Sequence, residues 1–165
     1  MFRRLSFLAG LILLFSVSAK AQDQFQLFGG YSYMHVGANP SFNSNGWELS
    51  GQYKFMDWLG VVGDFDGHYG TTEGDSVAAH DFLFGPQVSW PARVSPFAHL
   101  LMGAAHMTEG GVGDTSFAMG LGAGIDTRIA PAFYWRIFQV DYIPTYFFGH
   151  TQSDMRISTG IVFHF

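Results

Sequence analysis

With 165 residues, no cysteine and a formal charge of −5, the sequence has the length of one domain. It excludes a disulfide framework and thiol chemistry, and with no basic run it excludes a nucleic-acid partner. Eighteen Phe and 21 Gly against 13% charged residues argue against a soluble helical domain, because both residue types are poor in helices and useful in a barrel wall.

Residues Met1–Ala21 read as a secretory signal. Arg3 and Arg4 give the positive start, Leu5–Val17 the apolar middle, and Ala19 and Ala21 the small residues that a signal peptidase needs before Gln22. The apolar run is too short for a spanning helix, which takes about 20 residues. No Cys follows it, which argues against a lipidated N-terminus. Without this segment, residues 22–165 form the expected single domain, with five basic residues against thirteen acidic ones.

Alternation with period two then recurs along the chain. Strand one covers about 25–34, with Leu27, Tyr31 and Tyr33 on its apolar face. Strand two covers about 46–55, with Trp47, Leu49 and Tyr53 outward and Glu48, Ser50 and Gln52 opposite. Strand three covers about 59–69, with Val61, Phe65 and Tyr69 against Asp64 and Asp66. Strands four (about 78–89) and five (about 96–107) place Phe82, Phe84, Val88, Leu100 and Met102 outward, with His99 opposite. Strand six sets Phe117, Met119, Leu121, Ala123, Ile125 and Ile129 against Ala118, Gly120, Gly122, Gly124, Asp126 and Arg128. Strand seven (about 134–146) sets Phe138, Val140 and Tyr142 against Gln139 and Asp141. The last strand sets Met155, Ile157, Thr159, Ile161, Phe163 and Phe165 against Arg156, Ser158, Gly160, Val162 and His164. Connections at 56–58, 91–95 and 130–132 are short. Those at 36–45, 70–77, 108–114 and 148–152 are polar and predict four longer loops. Pro144, which cannot donate to a ladder, predicts a bulge or fraying near the outer end of strand seven.

Small and charged residues would cover a soluble barrel poorly but fit the narrow interior of eight strands. Apolar faces with aromatics near strand ends (Tyr33, Trp47, Tyr69, Tyr134, Tyr142, Phe165) suit lipid. The expected fold is therefore an all-β, eight-stranded, antiparallel up-and-down transmembrane barrel, with both termini on the short-turn, periplasmic side. The ending Ser158-Thr159-Gly160-Ile161-Val162-Phe163-His164-Phe165 resembles the C-terminal assembly signature of bacterial outer-membrane barrels, carried here by Ser158, Gly160, Phe163 and Phe165. In strand count, size and this motif, the chain resembles the OmpA-like family of small outer-membrane barrels, barrel domain only. That resemblance implies the outer membrane as address, the barrel assembly machinery and periplasmic chaperones as partners during biogenesis, and a monomer with a structural or adhesive role. No peptidoglycan-binding domain is expected after the barrel.

The inward acids Glu48, Asp64, Asp66, Asp81, Asp126 and Asp141, with the cations Lys54, Arg128 and Arg156, predict an ionic network filling the lumen, since buried charges are costly unless paired. Five His (His35, His68, His80, His106, His150) fall at the loop-side rim. Of these, His35, His80 and His106 point outward toward outer-membrane lipids and lipopolysaccharide. Near phosphate, an imidazole (ordinary pKa about 6.5) gains its charge. The phases do not converge on a metal, and neither metal nor cofactor is expected. Some lipid-A-modifying barrels carry a His with a Ser two residues later on the outer face. The nearest approach is His106-Met107-Thr108, with Thr in place of Ser and Glu109 adjacent; His150 precedes Thr151 and Ser153 at the wrong spacing. No catalytic residue is assigned; a lipid-A-modifying enzyme or a weak pore is the alternative.

Overall fold

The computed structural model describes residues 24–37, 41–72, 75–147 and 150–165, so the expected signal segment and the side chains of His150 and Thr151 lie outside the described residues. Alternating side chains give each segment one apolar and one polar face, and consecutive segments meet as hairpins. The strands are β1 (Phe25–Val36), β2 (Phe42–Met56), β3 (Leu59–Thr72), β4 (Asp75–Ser89), β5 (Val94–Glu109), β6 (Val112–Ala130), β7 (Phe133–Phe147) and β8 (His150–His164). Each pairs antiparallel with the next, and β8 pairs with β1 to close an up-and-down barrel. Closure gives every strand two partners, which a membrane wall requires of its backbone. The end carrying the two termini and the turns at 57–58, 90–93 and 131–132 is here the terminal end; the opposite one is the hairpin end.

The expected outward face is the exposed one: Leu27, Tyr31, Trp47, Phe65, Phe82, Leu121, Tyr142 and Ile161 all project from the wall. Inside, the alternation carries more than polar groups. Met34, Val36, Val77, Leu83, Leu101, Ala105, Met107, Ala118 and Ile143 form one buried apolar cluster with Phe42 against it. Most of it lies toward the hairpin end of the lumen, where β1, β4, β5 and β7 finish or begin.

Two expectations change and a third narrows to one of its alternatives. The four polar connections are largely strand, not loop: the ladders run on to Val36↔Phe42, Thr72↔Asp75, Glu109↔Val112 and Phe147↔His150. Between Glu109 and Val112 only Gly110 and Gly111 remain, at φ 54° and 87°. Two successive positive φ values match the twist of the strands they join, and glycine adopts them without strain. Polarity here marks strand that has left the apolar zone, not strand that has ended.

The second change is in phase. Between Arg136 and Gln139 the β7–β8 register shifts, and on the other side Asp126 faces Arg136 while Ile125 faces Phe138. Ile137 is the extra residue of a bulge. Both Ile137 and Phe138 are exposed, and Arg136 turns into the barrel. Tyr134, expected in an outer aromatic belt, instead stacks on the inward His164 with centroids 3.9 Å apart, while Phe133 and Trp135 are exposed.

The third concerns Pro144. It sits in the β7–β8 ladder opposite Ser153 with no register shift there. The β6–β7 ladder, however, ends at Leu121↔Tyr142. Of the two expected alternatives, a bulge or fraying, it is the fraying that occurs, with β7 parting from β6.

Phe165 closes the seam. Its N–H donates to Phe25 O at 2.8 Å, and its ring meets Phe163 edge-on at 4.4 Å. Deleting Phe165 is expected to lower the membrane yield of folded, heat-modifiable barrel several-fold, whereas Val112→Thr beside the Gly110–Gly111 turn leaves it unchanged. Gel mobility with and without boiling measures both; equal yields would count against this role for the terminal residue.

Candidate functional site

The lumen brings the expected acids together around Arg156, whose side chain is wholly buried. Its Nε lies 3.0 Å from Asp141 Oδ2 and 3.6 Å from Glu48 Oε2, and its Nη1 lies 2.8 Å from Asp64 Oδ1. Asp66 Oδ2 also accepts from Nη1. These four carboxylates come from β2, β3 and β7 and converge on one group of β8. Asp81 is buried on β4 as the cross-strand neighbour of Asp66.

A second centre is Arg136, which plain alternation counted back from Gln139 along β7 places on the lipid side. The bulge aims it inward, where it grips Asp126 with Nε at 2.9 Å and Nη2 at 3.1 Å. Its guanidinium lies 4.3 Å from the Phe28 ring centre and 4.2 Å from that of Phe97, so aromatic faces cover a charge that water does not reach. Gln139 joins the two centres. Its Oε1 accepts from Arg136 Nη1 at 2.5 Å, and its Nε2 donates to Glu48 Oε1 at 3.0 Å and Asp141 Oδ2 at 2.7 Å.

Arg128 is not in this network. It is exposed, and its guanidinium donates to the turn carbonyls Ala130 O at 3.4 Å and Pro131 O at 3.3 Å. Its phase is inward as expected, but β6 has by then reached the terminal mouth. Lys54 lines the same mouth. Asp154, not expected here, is buried near the hairpin end and accepts from Thr145 Oγ1 and Gly37 N, each at 3.0 Å.

Two inward His extend the network. His99 Nε2 lies 2.6 Å from Asp141 Oδ1 and its Nδ1 3.3 Å from Gln87 Oε1, while Gln87 donates onward to Gln52 at 3.0 Å. Gly122 makes room for this contact: a Cβ there would overlap Asp141 Oδ1 and His99 Nε2. His68 Nδ1 lies 3.1 Å from Asp66 Oδ1, and its Nε2 lies 2.9 Å from Ser32 Oγ. The Ser–His–Asp order is that of a nucleophile relay, but Ser32, His68 and Asp66 are 0%, 1% and 0% exposed. Ser32 meets Ser158 at 3.0 Å, and Ser158 donates to Glu48 at 2.5 Å. The serine is occupied by the lumen rather than open to a substrate.

Of the outward His, the structure brings two together. His80 and His106 are cross-strand partners on β4 and β5, and His35 stands on β1 beside Asn43 at 2.7 Å. His80 packs on Phe65 and Tyr69. His106 Nδ1 lies 2.7 Å from Thr115 Oγ1 and its Nε2 3.4 Å from Thr108 Oγ1. His106 and Thr108 thus meet on one face, but a threonine stands where a carboxylate would orient the ring. No three His, Asp or Glu among the described residues form a metal-binding group.

In the C-terminal motif, Ser158 belongs to the lumen network and Gly160 lets β8 lie against β1: a Cβ there would strike Gly29 O and Gly30 Cα. Phe163 and Phe165 contact each other.

A closed eight-stranded barrel with an ionic lumen and an apolar exterior matches a known family model. The model for the outer membrane protein β-barrel domain covers residues 7–165. The chain belongs to this family. It is an outer-membrane barrel, and the exposed aromatic and aliphatic wall faces lipid. Among solved structures it is similar to Neisserial surface protein A, with a TM-score of 0.70 at 12% identity over 88% of this chain and 100% of that one. It is similar to Ail of Yersinia pestis, with a TM-score of 0.57 at 18% identity over 86% and 99%, and to OprG of Pseudomonas aeruginosa, with 0.59 at 11% over 88% and 97%. At these identities the likeness is one of fold. No curated protein matches the sequence.

Removing one partner of a buried ion pair strands the other, at about 3–5 kcal/mol. Arg156→Met is therefore expected to lower barrel stability by about that amount, since it leaves four carboxylates facing one another. Adding Asp64→Asn should recover part of the loss. Urea unfolding in micelles, followed by tryptophan emission, measures both; a change under about 1 kcal/mol for Arg156→Met would contradict this account of the lumen.

Proposed function

We propose that this outer-membrane barrel is a structural and surface-interaction protein that neither conducts nor catalyses. The observation that carries the reading is the filled lumen. An eight-stranded wall leaves space only for side chains. Here the two arginine centres occupy one part of that space, and the apolar cluster around Leu83, Leu101 and Met107 occupies the part toward the hairpin end. Function is left to the wall and the ends. In planar bilayers the protein is expected to give no steady conductance; a stable open pore of porin size would reject the reading.

Against catalysis, the relay-like Ser32–His68–Asp66 set is sealed, and among the described side chains the ring nitrogens of His106 meet only Thr115 and Thr108. Lipid A from cells with and without the protein should give identical mass spectra. A shift in mass would favour a lipid-A-modifying enzyme.

Lipids of the outer leaflet are the partner we propose for the hairpin end, as a monomer in the wall. No Lys or Arg lies in any hairpin-end connection, so His35, His80 and His106 supply its positive charge when protonated. The ring nitrogen of His35 opposite its Asn43 contact is directed to headgroup phosphate in this reading. The same lack of Lys and Arg argues against a sulfated polyanion such as the heparin analogue in the solved complex of Ail. Replacing His35, His80 and His106 together by Gln is expected to lower the melting temperature in lipopolysaccharide bilayers at about pH 5.5, below the ordinary imidazole pKa, and to have no effect in phosphate-free lipid. An equal loss in both lipids, or none, rejects the contact.

A further inference from the structure

Every accessible Lys and Arg among the described residues lines one cavity. Of the eight in the chain, Arg3, Arg4 and Lys20 precede the described residues, and Arg136 and Arg156 are buried in the lumen. The other three, Lys54, Arg93 and Arg128, all line the vestibule at the terminal end, a cavity of about 980 Å³ with Tyr134 and His164 in its lining. A chain poor in cations has gathered its solvent-facing ones at one mouth.

Arg93 and Arg128 are also set against each other. The β5–β6 ladder pairs Val94 with Thr127, and one step further Arg128 N donates to Arg93 O at 2.9 Å. Like charges opposed across strands are unfavourable unless something lies between them. No carboxylate among the described residues answers either guanidinium. Arg128 donates to two turn carbonyls, which hold its fork in place, and Arg93 has no side-chain partner among the described residues. Among the described residues, Asp57 is the one acidic side chain lining the cavity, and the C-terminal carboxylate belongs to Phe165, two strands from β6.

We propose that this vestibule binds a phosphate-bearing anion between Arg93 and Arg128, with Lys54 adding charge from the opposite lining. The planar fork of arginine matches phosphate oxygens in pairs. The free oxygens of a phosphate, ester or diester, point in tetrahedral directions and can face two forks at once, whereas a carboxylate's two oxygens lie in one plane and suit a single paired fork. The volume falls within the range of small-molecule sites, roughly 300–1,000 Å³, so the phosphate can carry an organic substituent. The source is either a phospholipid headgroup of the adjoining leaflet or a soluble phosphate ester. The site lies at the end opposite the surface invoked for the protein's interactions, so the two stand or fall separately.

The test titrates the full barrel, in uncharged phosphate-free detergent, with inorganic pyrophosphate in a calorimeter. Saturable binding that weakens as salt is raised is expected. Arg93→Gln and Arg128→Gln should each weaken it about tenfold or more, and together abolish it, while heat-modifiable mobility is retained. Arg128→Gln gives up its turn contacts and could disturb folding. Arg93→Gln gives up none, so it must show the tenfold loss on its own. For the source, the barrel is released from mixed phosphatidylglycerol and phosphatidylcholine bilayers into a native mass spectrometer. Retention of phosphatidylglycerol by the wild type but not by the double variant assigns the site to a headgroup. Pyrophosphate binding without retained lipid assigns it to a soluble ester. Absence of both arginine-dependent pyrophosphate binding and arginine-dependent lipid retention overturns the proposal.

Discussion

Arg156 is fully buried, and a guanidinium in that position is costly unless carboxylates answer its charge. The lumen is arranged around this need. Asp64, Asp66, Asp141 and Glu48 reach it from three other strands, so the charge that would be most costly to bury ties together strands distant in sequence. Such a group forms only when the wall is closed and the register correct. A slip of one residue in β3 would send Asp64 and Asp66 into lipid and Phe65 into the lumen. The ionic centre thus works as a register lock as much as a source of stability. Gln139 and the Arg136–Asp126 pair extend the same lock toward the terminal end.

Much of this was legible in the residue pattern, because period-two alternation is the direct mark of a two-faced strand. The inward assignment of Glu48, Asp64, Asp66, Asp81, Asp126, Asp141 and Arg156 needed only a phase and a choice of face. Arg136 was lost for a definite reason. The bulge at Ile137 inserts one residue, and phase counted back from Gln139 comes out reversed for Arg136, Trp135 and Tyr134. Asp126, left without a cation once Arg128 is seen at the mouth, was the available clue. The apolar lumen cluster was hidden differently. Met34, Val36 and Met107 alternate with Tyr33, His35 and His106, and a face that is half apolar on both sides gives no contrast to read. The hairpin ends differ from the expectation because polar composition predicts a loop, whereas a strand that rises beyond lipid is polar outward and still paired.

The charges also divide the barrel by end. The terminal mouth holds Lys54, Arg93 and Arg128, the centre is acidic around two arginines, and the hairpin end has neither Lys nor Arg. Apolar side chains separate that end from the ionic centre. The two ends therefore meet different chemical surroundings with different electrostatic character, although the wall between them is uniform.

The Gly110–Gly111 turn has a practical side. The β5–β6 ladder is continuous from Val94↔Thr127 to Glu109↔Val112, so any peptide spliced between the two glycines would emerge beyond the last paired residues, on a double-stranded stalk rooted in the wall. The lumen contacts that lock the register lie on β2, β3, β7 and β8 or, at Asp126, far down β6, and would not be touched. For an engineer seeking to hold a foreign epitope or an affinity tag clear of the barrel wall, this hairpin is a natural splice point.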